Sequence, residues 1–282
     1  MRKKSLLDFY KMKEKGEKVA WITAYDAPTG AFAEAVGMDM LLVGDSLGMC
    51  VLGLPGTVPV TMEECLHHTR AVRNGAPNTY VIGDMPFLSY QTSTADAVLN
   101  AGRFLKEADA DAIKLEGGVR IAKQIRAIAD AGMVVFGHIG LTPQSSGQLG
   151  GFKAQGLTVE SAKLMIRDAL AVEEAGAHFL LVEAVAPEVT KVIHERLTIP
   201  VYSIGAGVHC DGQLLIVSDL LGMFEAFTPK FVKKYANLAE EIERAFAAYR
   251  DEVKSGAFPG PEHVYNMLKG EVEEFEKIKD QL

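Results

Sequence analysis

The sequence is poor in cysteine and has no long hydrophobic run. Its three cysteines, Cys50, Cys65 and Cys210, are far apart and form no Cys-x-x-Cys pair. That pattern excludes a disulfide framework and a typical zinc site. No apolar run approaches the ~20 residues that a helix needs to cross a bilayer, and no long apolar segment follows the basic residues 1–4. We therefore expect a cytoplasmic protein with no secretory signal and no membrane partner.

Positive charge is also scarce. The formal net charge is −8, with 29 Lys and Arg against 37 Asp and Glu. Proteins that bind nucleic acid need a basic face, so we expect no nucleic-acid partner. An anionic substrate stays possible, because a binding site can be locally positive. Hydrophobic residues make up 48% of the 282 residues, enough for a sizeable core.

Short apolar strands recur along the chain and are mostly separated by helices. The predicted strands are 19–26, 38–43, 79–83, 111–116, 133–137, 178–182, 199–204 and 214–217. The predicted helices are 5–16, 31–36, 61–73, 93–108, 119–131, 158–175, 187–196 and 229–255, with an acidic helical tail at about 260–282. This alternation predicts an α/β fold with a parallel sheet.

The number of strands favours a closed (β/α)8 TIM barrel. The connection at 209–213 holds little more than a turn, so a doubly wound open sheet is the alternative. No linker or shift in composition divides the chain. We expect a single domain over residues 1–282, with a leading helix and the helical tail.

Ionisable residues stand at the ends of most predicted strands. Parallel strands are normally apolar, and charged groups are rarely buried without partners. Chemistry in barrels is found at the carboxyl ends of the strands. These residues therefore predict an active site at one rim of the barrel. They are Asp26, Asp45, Asp84, Lys114, Glu116, His138 and Glu183.

Asp45 and Asp84 end consecutive predicted strands. Adjacent strands lie roughly 4.8 Å apart, so the two carboxylates would repel each other unless a proton or a cation lies between them. A hard, oxygen-ligated cation such as Mg²⁺ satisfies both. The alternative is that each is a structural aspartate held by hydrogen bonds.

Lys114 and Glu116 are two residues apart on one strand and so share a face. Either they form a plain ion pair, or Glu116 supports the metal while Lys114 meets an anionic substrate. His138 is a candidate to hydrogen-bond the substrate or another carboxylate, or to be a satisfied core histidine. Asp26 is a candidate for the outer shell of the active site.

Glu183 ends an otherwise apolar strand, across the barrel from the aspartate pair. An apolar environment raises the pKa of a carboxyl group, which would suit a general base. The alternative is a structural role.

Several longer motifs resemble those of one family, ketopantoate hydroxymethyltransferase. Three of them are VGDSLGM at residues 43–49, IKLEGG at 113–118 and GHIGLTPQS at 137–145. Shorter matches lie at 24–26, 84–87, 204–207 and 211–213, and the resemblance reaches about residue 263. Tyr202 and Ser203 stand where a smaller pair is expected, and the tail is longer than expected.

The resemblance implies a barrel of the phosphoenolpyruvate mutase/isocitrate lyase type. It also implies a Mg²⁺ site and a homo-oligomer, often a decamer. The implied reaction moves a one-carbon hydroxymethyl unit from 5,10-methylenetetrahydrofolate to 3-methyl-2-oxobutanoate. The product is 2-dehydropantoate, on the route to pantothenate, formed through a Mg²⁺-stabilised enolate.

The resemblance also implies roles for single residues. Asp45 and Asp84 are metal ligands, with Glu116 in or beside the metal shell, and Glu183 is the proton acceptor. The 2-oxo acid is contacted by Asp45, Ser46, Asp84 and Lys114, with His138 as a further substrate-binding candidate.

Two other functions compete with this one. A lyase or mutase of the same superfamily would use the same metal and enolate chemistry. Those lyases share a cysteine-bearing loop of the Lys-Lys-Cys-Gly-His kind, which this sequence does not contain. The second competing function is that of a non-catalytic barrel that binds a 2-oxo acid. The complete set of metal-binding, anion-binding and base residues argues against it.

Overall fold

The structure is a computed structural model and describes residues 2–282. The chain divides into two compact units. The first ends at Tyr235 and the second is Ala236–Leu282. The single domain expected from the sequence stays a prediction.

Eight parallel strands close into a barrel within the first unit. Each strand pairs with the next in sequence order, and the eighth pairs with the first. The closed barrel is confirmed and the open sheet is wrong. The strands are β1 (Val19–Thr23), β2 (Met40–Val43), β3 (Tyr80–Asp84), β4 (Ala112–Glu116), β5 (Val135–Gly140), β6 (Phe179–Glu183), β7 (Val201–Ile204) and β8 (Gly212–Leu215).

Helices follow most of the strands. The α-helices of the first unit are α1 (Leu6–Lys15), α2 (Ala27–Ala35), α3 (Leu47–Cys50), α4 (Met62–Gly75), α5 (Thr94–Ala108), α6 (Ala122–Asp130), α7 (Ser146–Leu149), α8 (Val159–Glu174), α9 (Pro187–Arg196) and α10 (Val217–Leu220). The second unit contains α11 (Leu238–Ser255) and α12 (Glu271–Ile278). Short 3₁₀ turns lie at Val119–Ile121, Pro143–Ser145, Pro261–His263 and Lys279–Gln281.

Polar side chains cap the first turns of α4 and α2. Thr61 and Glu64 form a reciprocal capping box at the start of α4. Asp26 is exposed and accepts a hydrogen bond from the Thr29 amide at 2.7 Å, at the start of α2. Asp26 is therefore a helix cap, and its assignment as an outer-shell candidate is wrong.

The helix predicted at 229–255 begins only at Leu238. Phe231, in the segment before it, packs so closely on Gly205 that a Cβ there would lie 2.3 Å from its ring. This tertiary contact outweighs the local preference for helix. The tail predicted at about 260–282 is helical only in part, over Glu271–Ile278.

Aromatic rings fill the interior of the barrel at the amino ends of the strands. Phe136 and Phe179 stack with ring centroids 4.3 Å apart. Phe9, from α1, inserts edge-on against Tyr80 at 5.1 Å and Phe179 at 5.9 Å. The leading helix thus closes this end of the barrel, and the opposite end is left for chemistry.

Candidate active site

Ionisable side chains from β3 to β6 and from the turn after β2 face one cavity of about 340 Å³. The cavity lies at the carboxyl ends of the strands, where barrel active sites occur. Its ionisable lining includes Asp45, Asp84, Lys114, Glu116, His138 and Glu183. The first five are at most 3% exposed. The structure therefore brings together every ionisable residue that the resemblance assigns to the site.

The period of the strands explains why these side chains point inward. Lys114 comes two residues after Ala112, and His138 two residues after Phe136; Ala112 and Phe136 lie in the interior cluster. Residues two apart on a strand share a face. Lys114 and His138 therefore point into the barrel interior, as Ala112 and Phe136 do.

Lys114 lies between two buried carboxylates. Its Nζ is 2.6 Å from Asp84 Oδ1 and 3.3 Å from Glu116 Oε1. Burial alone would lower the pKa of Lys114, but the charges of Asp84, Glu116 and Asp45 outweigh burial and raise this pKa well above its ordinary value. The ammonium is therefore charged across the physiological pH range.

Asp45 and Asp84 are neighbours whose charges are poorly balanced. The Asp45 amide donates a hydrogen bond to Asp84 Oδ2 at 2.9 Å. Burial, followed by the charges of Asp84 and Glu116, raises the pKa of Asp45 well above its usual range. Burial also raises the pKa of Asp84, although Lys114 opposes it. The two carboxylates thus have one ammonium near them, and that ammonium also faces Glu116.

Glu116 is the carboxylate with the most partners. Its Oε1 faces Lys114 and His138 Nδ1, each at 3.3 Å, and its Oε2 accepts the Gln144 amide at 3.1 Å. Burial would raise the pKa of Glu116, but Lys114 and His138 outweigh it and lower this pKa to about 2. Unlike Asp45, Glu116 is already neutralised by protein groups.

The donor set suits a hard cation held by two carboxylates. Among residues 2–282, no group of three His, Cys, Asp or Glu side chains is placed to hold a metal ion. Mg²⁺ is usually bound by only one or two carboxylates, together with water and substrate oxygens. Asp45 and Asp84 fit that pattern, since Asp45 has no cationic partner in the described part of the chain and Asp84 shares the Lys114 ammonium with Glu116. Glu116 fits a place beside the metal shell, because its oxygens already have partners.

His138 lies between two carboxylates rather than in an apolar core. Its Nδ1 is 3.3 Å from Glu116 Oε1 and its Nε2 is 3.2 Å from Glu183 Oε2. Neither nitrogen has the alignment of a hydrogen bond, so the attraction is one of charge. Burial would lower the pKa of His138, but the two carboxylates outweigh it and raise this pKa to about 9.

Glu183 reaches the cavity from the end of β6. Its side chain is 15% exposed and faces the His138 ring. The expectation of apolar surroundings is therefore wrong. The expectation failed because Leu181 and Val182 precede Glu183 in sequence, whereas its neighbour His138 comes from β5.

Ser46 lines the cavity directly after Asp45. Its Oγ is 2.8 Å from the Tyr25 hydroxyl, which holds the side chain to the end of β1. Ser46 is one of the residues that, by the resemblance, would contact the 2-oxo acid.

Gln144 is a buried site residue that the sequence analysis did not single out. Its Nε2 donates to Asp45 Oδ2 and to the Met85 carbonyl, both at 2.9 Å. Its Oε1 accepts from the Tyr90 hydroxyl at 2.7 Å, and its amide donates to Glu116. Gln144 thus ties two site carboxylates together. The one signal in the sequence is its position in the GHIGLTPQS motif.

Comparison with known proteins adds to this geometry. Residues 3–261 match the family model for ketopantoate hydroxymethyltransferase. A protein of Alkaliphilus metalliredigens (strain QYMF), named 3-methyl-2-oxobutanoate hydroxymethyltransferase, is 66% identical over 277 residues. The match covers 98% of both chains.

Solved structures with the same fold are distant in sequence. A phosphonopyruvate hydrolase in complex with oxalate and Mg²⁺ superposes with a TM-score of 0.61 at 12% identity, covering 99% of this chain and 97% of that one. A 2,3-dimethylmalate lyase, described as a member of the PEP mutase/isocitrate lyase superfamily, gives 0.57 at 15% identity, covering 98% of both chains. The expected fold is confirmed, and at these identities the likeness concerns the fold alone.

Proposed function

The chain belongs to the ketopantoate hydroxymethyltransferase family, and we propose that its barrel transfers a hydroxymethyl group from 5,10-methylenetetrahydrofolate to 3-methyl-2-oxobutanoate. The enzyme is thus a hydroxymethyltransferase whose product is 2-dehydropantoate, a precursor of pantothenate. The observation that carries the proposal is the set of buried side chains around a single cavity, namely several carboxylates with Lys114 and His138.

Lys114 and Ser46 are proposed to bind the carboxylate of the 2-oxo acid. Lys114 is buried and charged, and Ser46 lines the same cavity. A charge-assisted contact of this kind is roughly twice as strong as a neutral hydrogen bond. The two groups would fix the substrate so that its C3 atom has one defined orientation.

Glu183 is proposed to remove the proton from C3. It is the ionisable group on the far side of His138 from Glu116, so it is separate from the aspartate pair. The attraction between His138 and the Glu183 carboxylate holds this base in place. The resulting substrate carbanion forms a C–C bond to the methylene carbon of the folate, and both C–N bonds of that carbon break in turn. Water supplies the hydroxyl group of the product, and tetrahydrofolate leaves with one proton from C3 and one from the water.

Asp45 and Asp84 are proposed to hold Mg²⁺, with Glu116 beside the metal shell. When bound, the ion would act as a Lewis acid toward the oxygens of the 2-oxo acid. Gln144 and Lys114 keep the two aspartates in position, through the contacts at Asp45 Oδ2 and Asp84 Oδ1.

A cytoplasmic homo-oligomer, in the form of a decamer, is also proposed. The three cysteines are free, which suits a reducing compartment. From residue 2 onward, no helix is long and apolar enough to cross a membrane. Large apolar side chains are exposed on the first unit, including Phe32 and Val36 at α2. A neighbouring copy would bury such a surface.

Turnover by the purified protein tests the proposal. With Mg²⁺, 3-methyl-2-oxobutanoate and 5,10-methylenetetrahydrofolate, we expect 2-dehydropantoate and tetrahydrofolate in equal amounts, measured by NMR. Cleavage of isocitrate, methylisocitrate or 2,3-dimethylmalate without transfer would instead support a lyase. Binding of the 2-oxo acid without any turnover would support a non-catalytic barrel.

A further inference from the structure

The cavity contains a second acidic feature, which the proposed reaction does not use. Asp219 lies on α10, directly after β8, and lines the cavity although it is only 5% exposed. The backbone amide of Val217 donates to Thr23 Oγ1 at 2.9 Å, which fixes α10 against the end of β1. Within residues 2–282, the Asp219 carboxylate makes no hydrogen bond or ion pair. A buried carboxylate without partners is costly, so this one points to a ligand.

Asp219 lies at a different part of the cavity wall from the aspartate pair. From Asp45 the wall continues to Ser46, whose Oγ is 2.8 Å from the Tyr25 hydroxyl. It then reaches Cys50, whose thiol has a raised pKa because of burial and, further, because of the Asp219 charge. Burial raises the pKa of Asp219 itself to about 6, opposed by Lys234. Of the residues that the structure describes, Lys234 is the one whose charge acts on this pKa, and none of the carboxylates proposed to hold the metal contributes to it.

The charge of Asp219 decides which reactant it can meet. The 2-oxo acid is an anion and is repelled by a carboxylate. The folate carries a pteridine, whose pyrimidinone edge presents a ring N–H beside a 2-amino group. Two adjacent donors of this kind match the two oxygens of one carboxylate.

Aromatic side chains of the same cavity suit a flat bicyclic ring. Phe224, Phe227 and Phe231, from the irregular segment after α10, all line it. Their faces offer apolar contact and stacking for such a ring. The wall near Asp219 thus combines an acceptor for the edge of a pteridine with surfaces for its faces.

We propose that Asp219 binds the pteridine of the folate co-substrate by accepting hydrogen bonds from its ring N–H and its 2-amino group. This inference rests on the proposed function, because it takes the folate as the one-carbon donor. It makes Asp219 a binding residue for one reactant only. The other reactant is bound and deprotonated by different groups.

Replacement of Asp219 by Asn tests the assignment, because the amide presents a donor where the pteridine also donates. For Asp219→Asn we expect KM for 5,10-methylenetetrahydrofolate to rise roughly 10- to 100-fold, the effect of losing a hydrogen bond to a charged acceptor. The KM for 3-methyl-2-oxobutanoate and its folate-independent C3 deuterium exchange should not change. Unchanged exchange also shows that the variant is folded. The matched control is Glu225→Gln, an exposed acid of the same segment, and it should behave as the parent.

A folate analogue completes the test. Tetrahydrofolate with a methyl group in place of the 2-amino group should bind the parent more weakly than tetrahydrofolate does. The two compounds should bind Asp219→Asn with equal affinity. An unchanged folate KM in Asp219→Asn, or loss of its C3 exchange, overturns the inference. A parent protein that performs no transfer at all would instead reject the proposed function.

Discussion

At the scale of single residues, the contacts of Lys114 decide how the neighbouring carboxylates behave. The strand period predicts that Lys114 and Glu116 share a face, and the structure confirms it. The sequence left two roles open, an ion pair or a substrate contact. Lys114 touches both Asp84 and Glu116, which gives it a structural contact and still leaves it facing the cavity.

Lys114→Met separates these two roles. We expect KM for 3-methyl-2-oxobutanoate to rise roughly 10- to 100-fold, because the substrate carboxylate loses a charge-assisted partner. Steady-state kinetics at saturating folate measures the change. Lys163→Met is the control, because Lys163 is an exposed lysine paired with Glu160 on α8. An unchanged KM would mean that Lys114 is only an ion-pair partner.

The aspartate pair gives a prediction about metal that does not depend on turnover. Asp45→Asn and Asp84→Asn each remove one buried charge whose pKa is raised by burial. We expect the metal-free variants to melt at or above the temperature of the metal-free parent. Mg²⁺ at about 100 times its Kd should stabilise the parent by about 2.7 kcal/mol, and should leave both variants unaffected.

Calorimetry with and without Mg²⁺ measures these shifts. Asp130→Asn, an exposed aspartate near Arg126, should respond to Mg²⁺ as the parent does. A variant of either site aspartate that keeps the full response would remove that residue from the metal site.

At the scale of elements, Asp211 joins three parts of the barrel. Its carboxylate accepts from the Val201 amide of β7 at 2.8 Å, pairs with Lys13 of α1 at 3.0 Å and faces His194 of α9 at 2.9 Å. Burial would raise the pKa of Asp211, but these partners outweigh burial and lower it. A carboxylate with a lowered pKa stabilises the fold above its unfolded pKa, ~3.9, and this stabilisation is lost as the pH falls through the folded pKa.

Asp211→Asn should therefore lower the free energy of unfolding by ~1–3 kcal/mol at neutral pH, the cost of leaving charged and polar partners unpaired. The difference from the parent should shrink once the pH falls below ~4. Urea unfolding across this pH range measures it. Glu195→Gln, an exposed acid of α9, is the control. A difference that stays constant with pH would show that the ionised carboxylate contributes nothing.

Elements with a local signal were predictable, and elements set by tertiary contact were not. The helix that follows Thr61 and the apolar run of β2 have local signals, and both lie where the sequence predicts. Residues 229–237 look helical, yet Phe231 packs on Gly205 instead. The partner of Glu183 depends on the register of β5 against β6, which no single stretch of sequence contains.

At the scale of the whole first unit, closure of the barrel makes one site from residues far apart in sequence. Asp45 and Glu183 reach the same cavity because each follows or ends a strand at the same rim. The count of strands and the acids at their ends were enough to predict this arrangement. Gln144 and Asp219 were not predictable in the same way, because they come from a loop and a short helix whose paths depend on the closed barrel.

The rim of the barrel is proposed to remove the C3 proton of a 2-oxo acid as the first step of hydroxymethyl transfer. Deuterium exchange at C3 of 3-methyl-2-oxobutanoate, followed by NMR without folate, isolates that step. Glu183→Gln keeps the shape of the side chain but removes its basicity. We expect exchange to fall ~10²–10⁴-fold, the usual contribution of a positioned base, while the 2-oxo acid still binds.

The control variant is Glu188→Gln, which changes an exposed acid after β6. It should catalyse exchange at the parent rate. Exchange at the parent rate in Glu183→Gln would contradict the account and would move the base to another group of the rim.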